Sequence, residues 1–106
     1  MMTVRKQVLC EERTRQVPQQ FSWVDHRLVR DGYCRRCSAE ALGLYLLLVT
    51  VADAEGLSYY SDASLGRLLH ISVARVGELR ADLVRADLVA HRAPLYQVLE
   101  LPEGRA

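Results

Sequence analysis

The chain has 106 residues, half of them apolar and a quarter charged. That is one domain's worth of chain, an ordinary globular balance that excludes wholesale disorder and leaves no room for two large catalytic domains. Fourteen Lys and Arg stand against thirteen Asp and Glu, a net charge of +1. This excludes a polybasic nucleic-acid coat but not a local basic patch.

Residues 1–20 are expected to form a basic, weakly structured arm. They have few apolar residues to bury and no apolar stretch of signal-peptide length. Arg5, Lys6, Arg13 and Arg15 can track a phosphate backbone or simply solubilise a tail. Charge is uneven along the chain: residues 1–37 hold eight basic against four acidic side chains, residues 38–60 none against three, and residues 61–106 six against six. A folded domain is expected over residues 21–106, opening on Phe21, Trp23 and Leu28, which can pack on a core. Asp25-His26 reads as a turn.

Cys34-Arg35-Arg36-Cys37 is the first motif with chemical potential, because two thiols at this spacing can bind a metal or form a redox pair. Cys10 and His26 are the nearby ligands and stand at no recognised zinc spacing, so Cys34 and Cys37 are weak metal candidates and no cofactor is expected. Arg35, Arg36 and a helix N-terminus are expected to lower the pKa of Cys37. Three cysteines cannot all pair within one chain, which fits a cytoplasmic protein better than a secreted scaffold.

Ser38 is a suitable N-cap for a helix running to about Asp53 or Ala54, with Glu40 in its first turn. Ala41, Leu42, Tyr45, Leu46, Leu48, Val49 and Ala52 recur at helical spacing, and Leu44, Leu47 and Val51 fill the other side. A helix apolar nearly all round is central or covered by a partner. The apolar run Ala41–Ala52, at 12 residues, is shorter than the roughly 20 needed to span a bilayer. Gly56 is expected to stop this helix, and Leu57–Tyr60 to be a short strand with one tyrosine facing inward. Ser61 or Asp62 then caps a two-turn helix with Leu65, Leu68 and Leu69 inward. His70-Ile71 is a brief turn. Ser72 caps a third helix from Val73 to about Ala86, with Val76, Leu79, Leu83 and Ala86 as its apolar stripe. Two β-compatible runs, Leu88–His91 and Leu95–Leu101, flank Arg92-Ala93-Pro94 and read as a hairpin.

The expected fold is α+β, mainly helical: three core helices and a small β-hairpin behind an N-terminal arm. From about Phe21 to Leu101 this order resembles the winged helix-turn-helix modules of plasmid replication initiators and of small proteins borne by transposons and other mobile elements. The resemblance is carried by the apolar helix Ala39–Asp53, by Ala54–Ser61, by Ser64–Ser72, and by Leu79, Leu83 and Ala86–Val89. Gly66 stands where such modules usually have Ala, and Asp87 where they usually have Gly. Asp tolerates a left-handed turn, though less readily than Gly.

The resemblance implies a non-enzymatic, double-stranded DNA-binding protein, a regulator or accessory factor of a mobile element. Its third helix would lie in the major groove, presenting Ser72, Val73, Ala74, Arg75, Gly77 and Glu78. Arg75 is the natural base reader, since its planar fork matches the two acceptors of guanine, and Val73 and Ala74 suit a thymine methyl. Arg67 on the second helix and Arg92 at the wing tip are expected on phosphate, or for Arg92 in the minor groove. A homodimer is expected, through either the Leu44–Val51 helix or the Phe21–Leu28 segment. Two other readings compete. The third helix's mixed Arg/Glu/Asp face can pair with a partner in a protein-interaction module, or the Cys34/Cys37 pair can make a thiol- or metal-responsive regulator. Arg67, Arg75, Arg80 and Arg85 can also simply be a solvated face. His26, His70 and His91 are scattered, and no acid, base or nucleophile constellation stands out.

Overall fold

The computed structural model describes residues 6–102. These contain four α-helices and a three-stranded antiparallel sheet. In chain order they are α1 (Arg27–Arg30), α2 (Ala39–Val51), β1 (Leu57–Tyr59), α3 (Asp62–Leu69), α4 (Val73–Arg85), β2 (Val89–Arg92) and β3 (Leu95–Val98). Two 3₁₀ turns, Glu11–Arg13 and Tyr33–Arg36, precede α2.

All three serine caps act as expected. The Oγ atoms of Ser38, Ser61 and Ser72 accept from the backbone N–H groups of Ala41, Ser64 and Arg75 at 3.0, 3.1 and 3.0 Å, each satisfying a donor that the helix itself leaves unpaired. α2 is central. Ala41, Leu44, Tyr45, Leu48 and Val49 are buried, and the helix packs against α4 and β3. Leu46 is exposed, so the helix is not covered all round.

α2 ends at Val51, earlier than Asp53, and Gly56 is not its stop. Ala52 is already extended because Asp53 turns the chain. The Asp53 Oδ1 accepts from the N–H groups of Glu55 and Leu57, each at 2.9 Å, and its own N–H donates to the Leu57 carbonyl at 2.9 Å. This occupies both backbone groups of Leu57 and blunts the outer edge of β1, which would otherwise offer a template for another strand. Gly56, at φ +86°, carries the chain into β1, and its carbonyl accepts from the Val98 N–H at 2.8 Å.

β3 is the middle strand, in the order β1-β3-β2. Ser58 faces Tyr96 on one side, and His91 faces Tyr96 on the other. Ser58 is the inward residue of β1, Tyr59 is exposed, and the inward-packing tyrosine is Tyr60, just past the strand.

α3 buries Leu65 and Gly66, with Leu69 partly covered; Leu68, expected inward, is 57% exposed. At about 100° per residue Leu65, Gly66 and Leu69 share one arc, and Leu68 falls outside it. Gly66 takes the place of a larger residue because the chain crosses it closely. His70 adopts the left-handed conformation at φ 59°, and the Ile71 N–H donates back to the Gly66 carbonyl at 3.0 Å.

On α4, Val76, Leu79 and Leu83 are buried, followed by Ala86 just beyond its end. Asp87, at φ 66°, takes the left-handed position anticipated for it. The N–H groups of Leu88 and Asp87 then donate to Leu83 and Val84 at 3.1 and 3.0 Å, the paired closure of a Schellman end.

The N-terminal side departs most from expectation. Phe21 is 66% and Trp23 75% exposed, and only Leu28 of that trio packs on the core. Residues 21–25 are irregular chain across the rim, tied by a Ser22 hydroxyl donating to the Thr50 carbonyl at 3.1 Å. The core here is closed instead by Tyr33 and Leu101. Residues 6–20 are exposed throughout, with the one 3₁₀ turn as their regular structure. Arg5 and residues 103–106 lie outside the described residues. Among the described residues, no helix is long and apolar enough to cross a membrane.

Candidate nucleic-acid interface

The two-helix unit suited to groove binding is α3, the turn His70–Ile71, and α4. At the start of α4, Ser72, Val73 and Ala74 are exposed. The Ser72 Oγ already accepts a hydrogen bond as the cap, which leaves its proton available to an external acceptor.

Arg75 is not open as the sequence suggested. Its guanidinium lies between two carboxylates, Glu40 on α2 and Glu78 one turn along α4, the latter at 2.7 Å. Both ion pairs push its pKa further above the ordinary arginine value, Glu40 most. Glu78 is therefore a partner of Arg75, and any acceptor reaching Arg75 competes with two anions.

The remaining arginines sort by their partners. Arg80 is half-buried and donates to Asp62 of α3 at 2.5 Å and to the Tyr96 hydroxyl of β3 at 3.0 Å. It ties two helices to the sheet and is not part of a solvated face. Arg85 is exposed and paired with Asp82 at 3.1 Å. Arg67 is exposed and donates to the Ser64 hydroxyl at 3.3 Å. Arg92, at the end of β2 beside the hairpin turn, is exposed, and its guanidinium has no hydrogen-bond or ion-pair partner among the described residues. Ser72, Arg75 and Glu78 thus come together, with Glu40 added. Arg67 and Arg92 are not joined to them by any hydrogen bond or ion pair among the described residues.

The contacts that Glu40, Asp62, Asp82 and Tyr96 make across the fold were not anticipated from sequence. Their contacts span 35, 18, 44 and 16 residues, so no local spacing announces them. Asp82 accepts from the Ser38 backbone N–H at 3.0 Å, fastening the start of α2 to α4, and this bond above all lowers its pKa. His91 lies against the Tyr96 ring, with centroids 4.4 Å apart; burial, reinforced by Arg80, lowers its pKa. Both depressed groups favour the folded state above their unfolded pKa values. Stability should therefore fall first as pH drops through the ordinary histidine range, where unfolded His91 takes up a proton, and again below the ordinary carboxylate range. Thermal unfolding against pH checks this, with His91→Phe flattening the upper limb and Asp82→Asn the lower.

Cys34 lies in the Tyr33–Arg36 turn and Cys37 follows it; both are free and half-buried. The expected lowering of the Cys37 pKa is reversed. Burial raises it, and the carboxylate of Asp82 and the thiol of Cys34 raise it further, while Arg35 and Arg36 are exposed and Arg36 stacks over the Tyr33 ring at 4.5 Å. Among the described residues, no group of three or more His, Cys, Asp or Glu is placed to hold a metal ion.

A cleft of about 640 Å³ lies between residues 21–25, the end of α2 and the exit of β3, with Phe21, Trp23, Tyr45 and Glu100 in its lining. Comparison of the chain with protein families, with curated proteins and with solved structures found no match in any of the three.

Proposed function

We propose that the chain is a winged helix-turn-helix module that binds double-stranded DNA, with the start of α4 in the major groove and the β2–β3 hairpin on the backbone or in the minor groove. The observation that carries this reading is the order α2, β1, α3, tight turn, α4, hairpin, with β1 completing the hairpin's sheet. It is supported by the open first turn of α4 at Ser72, Val73 and Ala74, and by the exposed Arg67 and Arg92. The role is one of binding, in regulation or as an accessory factor of a mobile element, with no catalytic step and no cofactor. A homodimer fits the exposed Phe21 and Trp23 better than the Leu44–Val51 helix, most of which the fold already covers.

One observation favours a second reading, a protein-interaction module. The arginines of α4 are all paired with carboxylates, which leaves that helix close to neutral. Two substitutions separate the readings on a duplex of random sequence. Arg92→Ala should weaken binding uniformly and reduce the salt slope by about 1. Glu40→Gln should raise affinity about two- to fivefold, the scale of an exposed ion pair released in favour of DNA. If both leave binding and its salt dependence unchanged, the interaction reading replaces this one.

A further inference from the structure

We propose that Cys34 and Cys37 are an oxidisable pair that closes an intramolecular disulfide on meeting a low-molecular-weight disulfide such as oxidised glutathione. In a 3₁₀ turn the rise is about 2 Å per residue, so Cα atoms three apart stand about 6 Å from one another. Disulfides span Cα separations of about 4.4–6.8 Å. The position of the Cys37 Cα is set by the turn residues before it, and that turn is held at both ends.

Before the pair, Gly32 enters at φ +80°, and its carbonyl accepts from the Arg35 N–H at 3.1 Å. Tyr33 is buried beneath Arg36. After the pair, Cys37 packs against the core, and Ser38 both caps α2 and donates to Asp82. Both cysteines are only partly buried, and the exposed Arg35 and Arg36 favour the approach of an anionic disulfide.

The exchange proceeds in two displacements. The Cys34 thiolate attacks one sulfur of the small disulfide, forming a mixed disulfide and expelling one small thiolate. The Cys37 thiolate then attacks the Cys34 sulfur, closing the pair and expelling the second. Two protein thiols are oxidised, one small disulfide is reduced to two thiols, and the two protons leave with them. The raised pKa of Cys37 suits this order: it is the slower first attacker and, once bonded, the poorer leaving group. The bond closes directly against Ser38, so oxidation acts on the junction of α2 and α4.

The experiment equilibrates the full chain in glutathione redox buffers, traps thiols by alkylation and digests with trypsin. Cleavage after Arg35 and Arg36 leaves the Cys34 and Cys37 peptides joined only by a disulfide. The expected result is a linked pair in oxidising buffer while Cys10, exposed in the arm, carries glutathione. Closure should also be at least about tenfold more favourable in the folded chain than in urea, the gain from holding the thiols together. Recovery of Cys34 and Cys37 on separate peptides, alkylated or glutathionylated, overturns the proposal. So does closure no more favourable when folded than in urea.

Discussion

Tyr96→Ala is expected to cost about 3–5 kcal/mol of folding stability, the range for removing a large aromatic ring from a packed interior. Tyr96 is fully buried at the centre of the middle strand, flanked across the sheet by Ser58 and His91. Its hydroxyl accepts from Arg80, whose guanidinium also holds Asp62. The alanine variant therefore opens a void, frees His91 from its ring contact and withdraws one of two acceptors from a half-buried cation. Tyr96→Phe separates these effects. It keeps the ring and loses one hydrogen bond, at about 1 kcal/mol, because Asp62 still holds Arg80. Urea unfolding of the two variants checks the split. A phenylalanine variant as damaged as the alanine one would show that the hydroxyl, not the ring, carries the site.

The second large effect is expected at two glycines. A Cβ on Gly66 would stand 2.8 Å from the Ile71 carbonyl oxygen, part of the chain that turns from α3 into α4. A Cβ on Gly56 would stand 2.6 Å from the Val98 carbonyl oxygen, at a residue already at φ +86°. In both cases the obstacle is backbone, which cannot swing aside as a side chain can. Gly66→Ala should cost about 1–3 kcal/mol from overpacking. Gly56→Ala should cost more, because about 1–2 kcal/mol of left-handed strain adds to the clash. Thermal unfolding gives both values, and Gly77→Ala serves as a reference, since its Cβ would meet only the flexible end of Arg80 at 3.5 Å. Gly66→Ala is also the informative change for the fold. The resemblance drawn from the sequence leads one to expect Ala at that position, and here the close crossing of Ile71 disfavours it.

Helices α2, α3 and α4 and their order were legible because each rests on local chemistry, whereas α1 was not anticipated. Ser38, Ser61 and Ser72 precede apolar runs of helical period, and Asp87 falls where a helix needs a left-handed exit. The stop of α2 was misjudged because Asp53 competes with the helix for the backbone, using its side chain on Glu55 and Leu57. Phe21 and Trp23 were placed inside on hydrophobicity alone, but a short irregular segment follows the rim, and Tyr33 and Leu101 had already closed the core. The candidate site was legible in its exposed members, Ser72, Val73, Ala74, Arg67 and Arg92. It was not legible at Arg75, because Glu40 reaches it from another helix. Charge balance along the chain likewise concealed which arginines are engaged within the fold.

The central claim is that a nearly neutral chain binds duplex DNA through a narrow set of cations. The direct measurement is a salt titration of fluorescence anisotropy on a short labelled duplex of random sequence. With Arg67, Arg92 and the arm cations Lys6, Arg13 and Arg15 as the available phosphate contacts, log K should fall linearly with log salt. The expected slope is about −2 to −4, at roughly 0.9 per phosphate neutralised. Absence of binding at low salt, or binding with a slope near zero, would contradict the account.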